Sequence, residues 1–64
     1  MYVYIVFQEM YFLSDDKRMI FIDSVWKDLE DADKRRLDLE HAEELCPDPS
    51  CDEMYFFVES YEVR

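Results

Sequence analysis

Seventeen acidic residues against seven basic ones in a 64-residue chain leave a net charge of −10, yet half of the residues are apolar and 17% are aromatic. That size allows one domain, spanning residues 1–64, and five Phe, five Tyr and one Trp set the chain apart from disordered sequences. The absence of glycine excludes phosphate-cradling loops and dinucleotide fingerprints. The acidic balance argues against direct binding to nucleic acid or an anionic membrane, which depends on Lys and Arg.

The first segment, Tyr2–Phe7, extends through Gln8 and Glu9 into Met10-Tyr11-Phe12 and is rich in β-branched and aromatic residues that suit a pleated surface. Ser14–Arg18 is polar and reads as a turn, with aspartates supplying side-chain-to-backbone bonds where glycine is missing. Met19–Ile22 resumes the apolar pattern and continues through Val25 to Trp26. The two segments predict a hairpin closed by a loop of about five residues.

Asp28 reads as a helix N-cap, with Asp31 three places on as a short-armed capping box. Leu29, Ala32, Arg36 and Leu39 share one helical face. Glu30–Lys34 and Asp31–Arg35 have the spacing and orientation of favourable i,i+4 pairs. Beyond Leu39 the stripe is interrupted by Glu40 and Glu43, which predicts either a kink near residue 40 or a change of packing partner. Cys46-Pro47-Asp48-Pro49 ends the helix, because proline lacks the N–H and restricts its predecessor. Met54–Val63 reads as a closing strand. The expected architecture is α+β with the order ββαβ: a three-stranded antiparallel sheet with one helix packed on one face.

The Val25–Ala32 junction and the Tyr55–Val63 segment resemble those of small phage, plasmid and bacterial ββαβ proteins of uncharacterised function. That resemblance implies a fold and carries no activity. In those proteins the position of Arg36 more often holds a small aliphatic residue. In size and charge alone, the chain also resembles acidic phage-encoded anti-defence inhibitors of the anti-CRISPR and DNA-mimic type.

One helix covers one face of such a sheet, so each strand should alternate apolar and polar residues. Here both faces are apolar: Val3, Ile5 and Phe7 oppose Tyr2, Tyr4, Val6 and Met10, and Ile20 and Ile22 oppose Met19 and Phe21. The unpaired face is therefore expected to be an interface, with a homodimer favoured and Tyr2, Tyr4, Phe21 and Tyr55 as its apolar contacts.

Charge is segregated along the chain. Residues 1–36 hold eight acids and six basic residues, whereas residues 37–63 hold nine acids and no basic residue. A solvated surface that keeps a small apolar protein soluble would account for the net charge. The alternative is recognition of a basic protein surface, such as that of a nucleic-acid-handling complex, by Asp38, Glu40, Glu43, Glu44, Asp48, Asp52 and Glu53, the carboxylates standing in for phosphates.

His41, Cys46 and Cys51 form an H-x4-C-x4-C pattern whose spacing and single imidazole fall short of a zinc set, so no cofactor is expected. Without a basic N-terminal leader the cytoplasm, or a host's cytoplasm for a phage-encoded chain, is the expected compartment, with both thiols free. Ser14, Ser24, Ser50 and Ser60 have no evident histidine partner, and an enzyme is not expected. The readings carried forward are a protein-binding inhibitor, an assembly homodimer using the aromatic sheet face, and a metal- or redox-responsive protein working through His41, Cys46 and Cys51.

Overall fold

A computed structural model describes all of residues 1–64. The order is β1 (Tyr2–Phe12), β2 (Lys17–Trp26), α1 (Leu29–Leu45) and β3 (Glu53–Glu62), the α+β ββαβ arrangement read from the sequence. The sheet is antiparallel in the order β2-β1-β3, so the N-terminal strand is central. The hairpin turn is one residue tighter than expected, Leu13–Asp16, and Asp16 adopts φ 50° in the absence of glycine. Aspartate tolerates that region because its short polar side chain bonds locally, and here its Oδ1 accepts the Tyr11 hydroxyl at 2.8 Å.

Register divides the side chains between two faces. Tyr4 pairs with Trp26 and Ser60, Val6 with Ser24 and Val58, and Met10 with Met19 and Met54. This even-numbered face of β1 lies under the helix, which rests mainly over β1 and β3. On the other side Ile5 pairs with Val25 and Glu59, and Phe7 with Ile22 and Phe57. Nothing covers that face.

The register slips between Val6 and Phe7, leaving Asp23 as an extra residue in β2. A bulge of this kind re-aims a side chain. Asp23 and Ser24 thereby both reach the helix side. Trp26 Nε1 donates to Ser24 Oγ at 2.6 Å, Ser24 Oγ donates to Asp23 Oδ2 at 2.8 Å, and Arg35 of α1 donates to both Asp23 oxygens at 3.0 and 3.1 Å.

The helix needs that clasp because its inner face is poor in apolar groups. Ala32, Arg35, Arg36, Leu39, Glu40 and Glu43 face the sheet at helical spacing, and of these only Ala32 and Leu39 are apolar. Ala32 and Val6, one from each layer, are the two fully buried residues of the molecule. Leu29, Leu37 and Leu45 point outward, so Leu29 departs from the face expected of it. The helix nevertheless runs unbroken through residue 40 to Leu45.

Local pairing also differs from expectation. Asp28 is the N-cap residue but makes no side-chain cap bond. Arg35 leaves Asp31 for Asp23 across the layers, a bidentate partner that a flexible i,i+4 carboxylate cannot match. No ion pair joins Glu30 to Lys34, while Arg36 bridges Asp33 and Glu40 at 2.7 Å each. No helix is long and apolar enough to cross a membrane.

The Arg35 guanidinium holds the Asp23 carboxyl below its ordinary range, against partial desolvation and with help from Ser24. The stability it contributes is therefore present above the unfolded carboxylate value, about pH 4, and is lost as pH falls through the lower folded value. Asp23→Asn is expected to lower unfolding stability by about 1–2 kcal/mol at neutral pH, allowing for the half-exposed arginine. Urea melts read by Trp26 fluorescence check this, and the gap between variant and wild type should close in acid.

Candidate functional site: an acidic end and an open apolar face

The antiparallel course of α1 and β3 gathers the C-terminal turn of the helix, residues 46–52 and the β1–β2 hairpin at one end of the molecule. Asp52 ties them together: its Oδ2 accepts the Leu13 N–H at 2.6 Å and its own N–H reaches the Tyr11 carbonyl at 3.0 Å. Glu43 Oε1 accepts the Asp48 N–H at 3.1 Å, and Asp48 Oδ1 accepts the Ser50 N–H at 2.8 Å. With Pro47 and Pro49 unable to donate, these carboxylates organise a loop that has few other bonds.

The seven acids singled out in the sequence thus fall into two groups. Glu40 pairs with Arg36, Glu43, Asp48 and Asp52 hold backbone N–H groups, and Glu53 Oε2 accepts the Tyr55 hydroxyl at 2.9 Å. Asp38 and Glu44 are exposed and have no such partner. The concentration of acids therefore serves the fold in part, besides keeping the surface solvated. Their charge survives this use, since a carboxylate that accepts a neutral N–H or O–H remains negative. Glu40, Glu43 and Glu44 line a shallow groove between the helix and the β3 stretch Met54–Phe56. Asp15 and Asp16 of the hairpin, absent from the sequence-based set, join this end because Asp52 bonds to Leu13; only the pairing of β3 with β1 could have placed them there.

The four apolar contact residues do not form one patch. Tyr2, Tyr4 and Phe21 stand on the helix side and Tyr55 on the open side, because side chains alternate along each strand. The open face is instead centred on Val3, Ile5 and Phe7 of β1. Along β2 it exposes Ile20, Ile22 and Val25 at 49, 62 and 58%. Along β3 lie Tyr55, Phe57 and Tyr61, with the Phe57 ring stacked on Phe7 at 5.1 Å. Tyr61 donates to Glu59 at 2.7 Å as Tyr55 does to Glu53, and each carboxylate acceptor raises the phenol above its ordinary range.

His41 is exposed on the helix, Cys46 is exposed at its end and Cys51 is half-buried in the loop, both thiols free. No group of three or more His, Cys, Asp or Glu side chains is placed to hold a metal ion. Desolvation pushes the Cys51 thiol up, and the negative charges of Asp48, Glu43 and Asp52 add to the rise. Such a thiol is held in its protonated, weakly nucleophilic form.

No protein-family model matches this chain, and no curated protein or solved structure matches it.

Alkylation at neutral pH is expected to label Cys46 several-fold faster than Cys51. Asp48→Asn, which keeps the acceptor for Ser50, should accelerate Cys51 labelling. Peptide mass spectrometry checks both; equal rates in the wild-type protein would contradict the electrostatic account of this loop.

Proposed function

We propose that the chain is a small acidic protein-binding module that engages a basic protein surface through its helix and its acidic end, and that its partner is a nucleic-acid-handling protein whose Lys/Arg-lined groove it occupies as an inhibitor. The observation that carries this reading is the absence of any basic residue between positions 37 and 63, opposite nine acids. The geometry supports it further, because Glu43, Asp48 and Asp52 are fixed by backbone hydrogen bonds. Carboxylates held in place present a defined pattern of negative charge, and less side-chain entropy is lost on docking. A groove evolved for phosphates attracts such a pattern at long range, with the ionic-strength dependence of any steered encounter.

The resemblance in size and charge to acidic phage-encoded anti-defence inhibitors favours the same reading. No catalytic step is assigned: Glu43, Asp48 and Asp52 are engaged in holding the loop, and the groove beside Met54, Tyr55 and Phe56 is shallow.

The test is capture of partners from the cell of origin followed by challenge with duplex DNA. Bound protein should be released by DNA and by raising salt from about 50 to about 200 mM, as displacement of ion pairs requires. Asp38→Asn with Glu44→Gln removes two charges without touching an internal bond, and should weaken capture several-fold. Partners retained unchanged against both salt and DNA would contradict the proposal.

A further inference from the structure

The helix-free face of the sheet is the largest feature that the acidic reading leaves unused. We propose that a second copy of this chain covers it, the two sheets packing face to face with both helices outward. This pairing does not depend on the basic partner proposed above.

Area favours this occupant. The chain exposes 4994 Å², whereas a compact monomer of 7.9 kDa would expose about 4,400 Å². The surplus, about 600 Å² per chain and about 1,200 Å² for a pair, reaches the lower bound of stable protein interfaces. Shape agrees with area. The Cα trace measures 41 × 24 × 10 Å with a radius of gyration of 13.0 Å, against about 11 Å for a compact chain of this length. A slab so thin is compacted by stacking a second on its broad side, at the ~10 Å spacing of packed sheets.

Charge selects the second copy over a basic protein at this surface. Of the seventeen acids, only Glu9, Glu53 and Glu59 stand on the open face by register. Glu9 is paired with Arg18 at 3.4 Å, and the other two lie along the β3 edge holding tyrosine hydroxyls. The middle of the face, Val3, Ile5, Phe7 and Ile22, carries no charge. Self-association here therefore brings together the least like charge of any broad surface of the molecule. A basic partner is drawn to the opposite side, where the helix carries Asp38, Glu40, Glu43 and Glu44. A face-to-face pair displays that acidic side twice, in opposite directions.

Sedimentation equilibrium over the micromolar range tests this with three proteins. The wild type should approach twice the chain mass, increasingly so as salt screens the net charge. Ile22→Lys should remain at the mass of one chain; Ile22 is 62% exposed in the single chain, so the substitution spares the fold, as circular dichroism would verify. Phe21→Lys, on the same strand but the opposite face, should still pair. A wild type that stays monomeric at every concentration and salt overturns the proposal. So does an Ile22→Lys protein that pairs like the wild type, which would assign the contact to the β2 edge, or a Phe21→Lys protein that alone fails to pair, which would assign it to the helix side.

Discussion

A single helix of seventeen residues shields one side of three strands ten or eleven residues long, and everything else in this structure follows from that shortage of cover. Flanking by β2 and β3 half-buries the central strand on both faces, which is why β1 tolerates apolar residues throughout. The edge strands lack that protection. β2 suffers most, since α1 lies mainly over β1 and β3, and even Met19 and Phe21 on the helix side remain 45 and 44% exposed. With two fully buried residues in sixty-four, the hydrophobic contribution to stability is small for a domain already at the lower limit of size.

Polar contacts compensate, and they do so at the boundary between layers. The bulge in β2 aims Asp23 at Arg35, and the chain of bonds from Trp26 through Ser24 to that ion pair joins helix to sheet where apolar contact is thin. Glu43, Asp48 and Asp52 perform the same service for the loop leading into β3. These acids thus have two physical consequences: they satisfy backbone donors that neither glycine nor helix capping would satisfy, and they concentrate negative potential at one end. The second consequence is the one on which the proposed recognition of a basic protein surface rests.

The elements were legible in the sequence because β-branched and aromatic runs, the Asp28 boundary and the Pro47/Pro49 stop are local signals. The faces were not. Alternation identifies which residues share a side, but with Val3, Ile5 and Phe7 as apolar as Tyr4, Val6 and Met10, it could not say which side the helix takes. Tyr2, Tyr4 and Phe21 were therefore grouped with Tyr55 across the sheet. The helix stripe of Leu29, Ala32, Arg36 and Leu39 was right for its last three members, while Arg35 turns inward for Asp23 of the preceding strand and Glu43 for the Asp48 N–H of the loop that follows. The structural use of Asp48 was open to a turn argument. That of Asp52, which bonds to Leu13 thirty-nine residues away, was not.

The central claim is that the sheet has one side closed by its own helix and another closed only by a second molecule. Solvent paramagnetic relaxation of side-chain methyls, followed as a function of protein concentration, tests it most directly. The account predicts that the methyls of Ile20, Ile22 and Val25 are strongly relaxed by a soluble agent in dilute solution and become protected as concentration rises, while Val6 is protected throughout. Relaxation of the Ile22 methyls that is the same at every concentration would contradict it.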